Sequence, residues 1–297
     1  MGSWTGVWQV TWRERCPFGE SFGSARHSRY LAVILLGILP GCATTETEIG
    51  QKAADEMAKS WAQIIITYDN NPYDDRLRSA WGFSCVIKLT ESVILFDSGG
   101  DGAILLSNME KLGIDLKRID LVILSHIHGD HVGGLASFLG CHSDVTVYMP
   151  TSFTRRLKDE VRLSGARLDE VGEARELFDG AFTTGELDGG IKEQSLVLKT
   201  SQGSVVITGC AHPGVVNIVR KAKEICQDKV YLILGGFHLG GASVSTMEVI
   251  IQDFIELGVQ RVAPCHCSGE RARRLFQEHF GPDYVECGVG SKIWIPG

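Results

Sequence analysis

Four side chains of metal-ligand type fall within six residues at His126-Ile127-His128-Gly129-Asp130-His131, and nothing else in the 297-residue chain constrains the fold as tightly. Imidazole and carboxylate are donors for borderline and hard divalent metals. The residues just before them, Asp120-Leu-Val-Ile-Leu-Ser125, form a short apolar run of the kind that makes a strand buried on both faces. Side chains alternate along an extended segment, so His126 and His128 can point to one side. The turn through Gly129 then lets Asp130 and His131 reach back toward the same region. The bland alternative is a His-rich surface loop. It is disfavoured because four ligand-type residues follow directly on a strand end.

The remaining pattern supplies a scaffold for such a centre. Residues 63–68, 84–89, 92–96, 145–149, 196–200, 204–208, 230–234, 259–263 and 292–295 read as strands. Residues 101–112, 132–139, 214–226, 244–257 and 268–280 read as helices, with Ser268 in the N-cap position of the last. Residues 152–190 are polar, carry charged helical stretches and glycines, and read as a cover over the site. A strand-rich first half and an alternating second half suggest α+β: one domain of two sheets with helices outside.

The formal net charge of -7 argues against a sequence-independent nucleic-acid binder, which would carry a basic surface. It leaves a small-molecule substrate open, including a phosphate-bearing one, because a metal attracts anions locally. No segment approaches the ~20 apolar residues of a spanning helix. Residues 1–42 resemble a signal or lipoprotein leader: Arg13, Arg15, Arg26 and Arg29, then an apolar run from Leu31, then Leu39-Pro40-Gly41-Cys42. The ending is similar to a bacterial lipobox, although Pro40 is unusual there. Export with membrane attachment only through a lipid on Cys42 is the expectation, and a cytoplasmic protein the alternative. Residues 43–61 read as a tether and 62–297 as the domain. Setting aside Cys16 and Cys42, the cysteines are Cys85, Cys141, Cys210, Cys226, Cys265, Cys267 and Cys287, an odd and scattered set that does not read as a disulfide framework.

His-x-His-x-Asp-His after an apolar strand resembles the signature of the metallo-β-lactamase superfamily, whose fold is an αββα sandwich with one or two metals at the sheet edge. Ile94-Leu-Phe-Asp97-Ser-Gly99 resembles its first motif, which implies that Asp97 orients a ligand from behind. Trp81-Gly-Phe-Ser84, Thr184-Gly-Glu186, Thr208-Gly-Cys-Ala-His212-Pro-Gly214, Gly235-Gly-Phe-His238-Leu239 and Pro264-Cys-His266-Cys-Ser-Gly269 resemble one branch of it. That branch is named after the archaeal synthase of a ribofuranosylaminobenzene 5'-phosphate pterin precursor.

By position, the resemblance implies His126, His128, Asp130, His131, His212 and His266 as metal ligands and Asp130 as the catalytic group. Many relatives carry a bridging Asp where this chain has Cys210. Either His212 or Cys210 is therefore the middle ligand, with His212 favoured and Cys210 able to pack instead. No separate histidine motif lies between His142 and His212, so the usual third-motif ligand reads as lost and the metal count stays open. His238 is a further candidate for metal or substrate, and Glu186 for shaping the site. His142 and His279 read as solvent-exposed. The metal expected is zinc, one or two ions, with Mn2+ or Fe2+ as alternatives. The expected activity is hydrolysis of an ester or phosphoester through metal-bound hydroxide. The alternatives are a transferase condensing a phosphoribosyl donor, and a metal-binding lipoprotein without catalysis.

Overall fold

The computed structural model describes residues 60–178 and 180–296. The leader reading of residues 1–42, and nearly all of the tether reading of 43–61, lie outside them. Among the described residues no helix is long and apolar enough to cross a membrane.

β1 (Ser60–Tyr68) begins ahead of the expected Gln63 and carries the β-branched Ile64, Ile65 and Ile66. β2 (Ser84–Lys88) and β3 (Val93–Phe96) are antiparallel neighbours. α1 (Gly102–Lys111) starts where the Asp101 carboxylate accepts from the Ala103 and Ile104 amides. β4 (Leu121–Ile123) leads into the histidine cluster. The single helix expected over 132–139 is instead two short ones, α2 (Gly129–Val132) and α3 (Leu135–Cys141), parted at the weak helix formers Gly133 and Gly134.

β5 (Thr146–Pro150) and α4 (Arg155–Ser164) follow. Next come β6 (Arg167–Val171), β7 (Arg175–Phe178) and β8 (Ala181–Thr183), three strands in the segment read from sequence as a polar, helical cover. The physical reason is that β6 and β7 are the outer strands of their sheets. Their outward positions meet water and carry charge, paired as Arg175–Asp169 at 2.5 Å and Lys158–Glu170 at 2.7 Å. Charged edge strands lose the alternation that marks a half-buried strand.

β9 (Leu196–Thr200), β10 (Gly203–Thr208), α5 (Val215–Cys226), β11 (Val230–Gly236), α6 (Val244–Glu256), β12 (Arg261–Cys265), α7 (Glu270–Phe280) and β13 (Lys292–Pro296) complete the chain. Ser268 does not cap α7; Gly269 holds that position. The Ser268 hydroxyl instead donates to the Cys265 carbonyl at 2.7 Å and accepts from the Phe237 amide at 3.0 Å, tying the ends of β12 and β11 together.

Two sheets result, ordered β13-β1-β2-β3-β4-β5-β6 and β12-β11-β10-β9-β8-β7. Period-2 alternation explains how four layers form. Cys85, Ile87, Ile94, Phe96, Val205, Ile207, Leu232 and Leu234 face between the sheets. Val86 and Leu95 face the helical side of the first sheet with Leu105, Met109 and Phe138. Val206 and Ile233 face that of the second with Ile218, Phe254 and Phe276. Burying a side chain of this size contributes about 1.5–3 kcal/mol, so both faces of both sheets are strongly specified. The fold is the αββα sandwich expected from the sequence.

Candidate metal centre

Every candidate site residue sits just past the C-terminal end of a strand. Asp97 follows β3, the His126–His131 loop follows β4, Cys210 and His212 follow β10, His238 follows β11 and His266 follows β12. Apart from Gln227 at the end of α5, the described non-glycine residues with left-handed φ are Asp97 at 53°, Ala211 at 61°, His238 at 53° and His266 at 45°. Such backbone costs on the order of 1–3 kcal/mol per residue and persists where surrounding structure imposes it. All four lie in these strand-end loops.

Asp97 is the hub beneath the centre. It is fully buried; its Oδ1 accepts from the Ser125 amide at 2.7 Å, and its Oδ2 accepts from the Ser125 hydroxyl and meets His131 Nδ1, each at 2.7 Å. These contacts fix the tautomers. His131 Nδ1 must donate to the carboxylate. The Ser125 hydroxyl spends its proton on Asp97, so His126 Nδ1, at 2.9 Å, must donate to that hydroxyl. His266 Nδ1 donates to Asn70 Oδ1 at 2.9 Å. Three imidazoles therefore present a bare Nε2 lone pair inward.

Those lone pairs converge. His131 Nε2 lies 3.3 Å from His266 Nε2, and His126 Nε2 lies 3.1 Å from His128 Nδ1. His212 Nε2 is buried with no hydrogen-bond partner. Facing lone pairs repel unless a cation lies between them, and a buried unpaired nitrogen is costly. The donor set therefore fits a metal. Burial and then the neighbouring imidazoles push His126 far below the ordinary histidine range. Burial, followed by His238 and His128, lowers His212 to about 4. Both stay unprotonated ligands at neutral pH. Burial also pulls His131 down, but Asp97 outweighs it and raises the group.

Cys210 joins the two halves. Its Sγ is 3.2 Å from His131 Nε2. Two ligand groups share it, His126–Cys210–His212 and His131–Cys210–His266, with ligand atoms in each within 4.8 Å. His128 packs on His126 and His212, with ring centroids 4.8 and 4.9 Å away. Asp130 Oδ2 is 3.4 Å from His266 Nε2 and 3.8 Å from His131 Nε2. Both candidates for the middle ligand, Cys210 and His212, lie at the centre, in one group with His126. His212 supplies the imidazole beside His126 and His128 that no separate motif seemed to provide.

Burial pushes Asp130 up, but the adjacent His266 and His131 imidazoles outweigh it and hold its carboxyl well below the usual range. It is an ionised carboxylate with 22% of its side chain exposed. Trp81, 61% exposed, lies with its ring centroid 4.9 Å from that of His266.

Sequence reasoning missed Glu193. It is 1% exposed, and its Oε1 accepts from the Thr208 hydroxyl at 2.9 Å and from the amides of Gly209, Cys210 and Ala211 at 3.0, 2.9 and 3.0 Å. Its Oε2 accepts from the His212 amide at 2.9 Å. One carboxylate thus holds the whole loop carrying Cys210 and His212. Only its place in a polar stretch before a strand was visible. Gly209 was equally silent: a Cβ there would lie 2.1 Å from Ser125 Oγ and 3.0 Å from Asp97 Oδ2. Asn70 and Asp69, likewise unmarked in the sequence, hold His266 at Nδ1 and at its amide.

Other expectations fare differently. His238 reaches the centre through its ring, 4.5 Å from that of His212. Glu186 engages the Ser152 amide at 2.5 Å and Lys192 at 3.2 Å, linking two loops. His142 is not in open solvent. It is partly buried, with Nε2 3.0 Å from the Ile119 carbonyl, because α3 ends against that turn. No disulfide forms among the described cysteines.

A family model of the metallo-beta-lactamase superfamily matches residues 82–266, and the chain belongs to that superfamily. The 7,8-dihydropterin-6-methyl-4-(beta-D-ribofuranosyl)-aminobenzene-5'-phosphate synthase of Methanocaldococcus jannaschii is 27% identical over 270 residues, covering 74% of this chain and 92% of that one. A solved metal-dependent hydrolase of the beta-lactamase superfamily is 30% identical, with a TM-score of 0.69 over 80% of this chain and all (100%) of that one. The short form of human tRNase Z, 17% identical with a TM-score of 0.55 over 79% of this chain and 99% of that one, shares the fold. Proteins of this fold usually bind divalent metal ions.

Proposed function

We propose that the protein is a metal-dependent hydrolase of a small ester or phosphoester. The observation that carries this reading is the ionised Asp130 carboxylate at the rim of imidazoles whose Nε2 atoms converge. His126, His128, His212 and Cys210 would hold one ion, and His131, His266, Asp130 and Cys210 a second. Imidazole with thiolate favours zinc, and the carboxylate on the second set admits Mn2+ or Fe2+. When bound, the metal polarises the substrate oxygen and lowers the pKa of water toward ~7.

The chain's own residues do the rest. Asp97 and Ser125 lock His131 and His126 with Nε2 inward, and Asn70 does so for His266. Asp130 takes a proton from the attacking water at Oδ2 and returns one to the leaving oxygen. The Trp81 face shields one side of the reacting centre from bulk water.

A second reading, a transferase acting on a phosphoribosyl donor, is favoured by the similarity to the archaeal synthase. The transferase reading and the phosphoester form of the hydrolase reading both place a phosphate at the centre. The test is metal analysis of the purified full chain followed by turnover on phosphodiesters, phosphomonoesters, lactones and a phosphoribosyl donor. The hydrolase reading expects one or two ions and hydrolysis that a chelator abolishes and zinc restores. Pyrophosphate release would select the transferase instead. Bound metal with no turnover on any substrate would leave a metal-binding protein without catalysis. For localisation, the lipobox-like ending at Cys42 supports a lipid anchor. Mass spectrometry of the mature protein is expected to find an acylated Cys42 at the N-terminus, and an intact, unmodified residue 42 would reject the anchor.

A further inference from the structure

A third ligand group lies beside the two His-lined ones. Cys210, His238 and Cys267 bring their ligand atoms within 4.8 Å of one another. Cys210 and Cys267 are buried and His238 is exposed, so the group opens to solvent on the imidazole side.

The surrounding backbone is built around it. Cys267 sits in the single turn His266–Ser268, directly after the candidate ligand His266. Gly236 passes under its sulfur: a Cβ there would lie 2.6 Å from Cys267 Sγ and 2.5 Å from the Gly209 carbonyl. Only a glycine lets β11 run between the two cysteine loops. His238 is held in left-handed backbone at φ 53°. The loop carrying it is pinned to the Cys267 turn from both sides, since the Gly240 amide donates to the Cys267 carbonyl at 3.2 Å and the Phe237 amide to Ser268 Oγ at 3.0 Å. Cys85, Cys265 and Cys287 differ, lying in the apolar core between the sheets. Packing accounts for those three, but it does not explain a thiol pair facing a strained, exposed imidazole.

We propose that Cys210, Cys267 and His238 form a sulfur-rich cation position that takes a soft or borderline ion of the Zn2+ and Cd2+ class. Two thiolates and one imidazole are the donor set such ions prefer over Mg2+ or Mn2+. Cys210 is common to all three groups, so its sulfur bridges this ion and a neighbouring one. The position shares Cys210 with the catalytic reading above and goes beyond it through Cys267 and His238, which belong to neither His-lined group.

Cd2+ on the metal-free full chain is the probe, read by its sulfur-to-metal charge-transfer band and by cadmium NMR. The wild type is expected to give about twice the band intensity of Cys267→Ser, with a resonance in the two-sulfur range that the variant loses. His238→Ala is expected to weaken that resonance's ion by on the order of 10-fold. Equal band intensity in wild type and Cys267→Ser overturns the proposal. In the unaltered chain, Cd2+ is expected to protect Cys267 from iodoacetamide, followed by peptide mass spectrometry. Equal labelling with and without Cd2+ overturns it without requiring any variant to fold.

Discussion

Glu193→Ala is expected to destabilise the protein by about 3–5 kcal/mol and to strip metal from the centre. The carboxylate accepts from the Thr208 hydroxyl and from four successive amides, Gly209 through His212, in a site where it is 1% exposed. Removing it leaves those donors buried, each costing about 1–3 kcal/mol if wholly unpaired, with partial relief from entering water. For a domain of this size the melting temperature should fall by about 10 °C or more. Burial pushes Glu193 up, while the Ala211 and His212 amides oppose that shift, so the donors are what the carboxylate is there to meet. Glu193→Gln separates the effects. An amide oxygen placed at Oε1 keeps four of the donors, while its NH2 confronts the His212 amide. The loss should shrink to about 1–2 kcal/mol and concentrate on His212. Thermal melts with metal analysis give the answer, and a drop below about 2 °C for the alanine variant would show that the loop holds its shape without the carboxylate.

The second large effect concerns chemistry. Asp130→Ala should lower kcat by on the order of 10^2- to 10^4-fold with a much smaller change in KM, because a proton-transfer group acts in the transition state. His128→Ala should abolish turnover by another route, loss of the ion seated among His126, His128 and His212. Metal content distinguishes the two: Asp130→Ala is expected to keep the ion among His126, His128 and His212 while holding the second more weakly, whereas His128→Ala is expected to lose the first. Wild-type kinetics in Asp130→Ala would remove that residue from the mechanism.

Local pattern placed the histidine cluster just past a buried strand, while the resemblance of its motifs to a known superfamily implied the αββα sandwich and the roles of His266 and Asp97. Each signal was short-range: an apolar run, a strand followed by Asp-Ser-Gly, a His at a strand end. The charged edge strands β6 and β7 escaped, because water on their outer face removes the alternation that periodicity detects.

By itself, then, the sequence determined which residue types stand at which strand ends, because hydrophobic alternation writes strands and layers directly into the chain. The tertiary structure alone decided what those ends do together. Cys210 and His212 lie 79 and 81 positions from His131, and only the stacking of two sheets sets the Cys210 sulfur 3.2 Å from His131 and the His212 ring beside His126. Glu193 and Asn70 act through hydrogen bonds of 2.9 to 3.0 Å across separate elements, and Gly209 by leaving the space that Ser125 occupies. A carboxylate in a polar stretch and a glycine in a turn carry no local mark of such a role. Their importance comes from burial and close approach, and these exist only once the chain has closed around them.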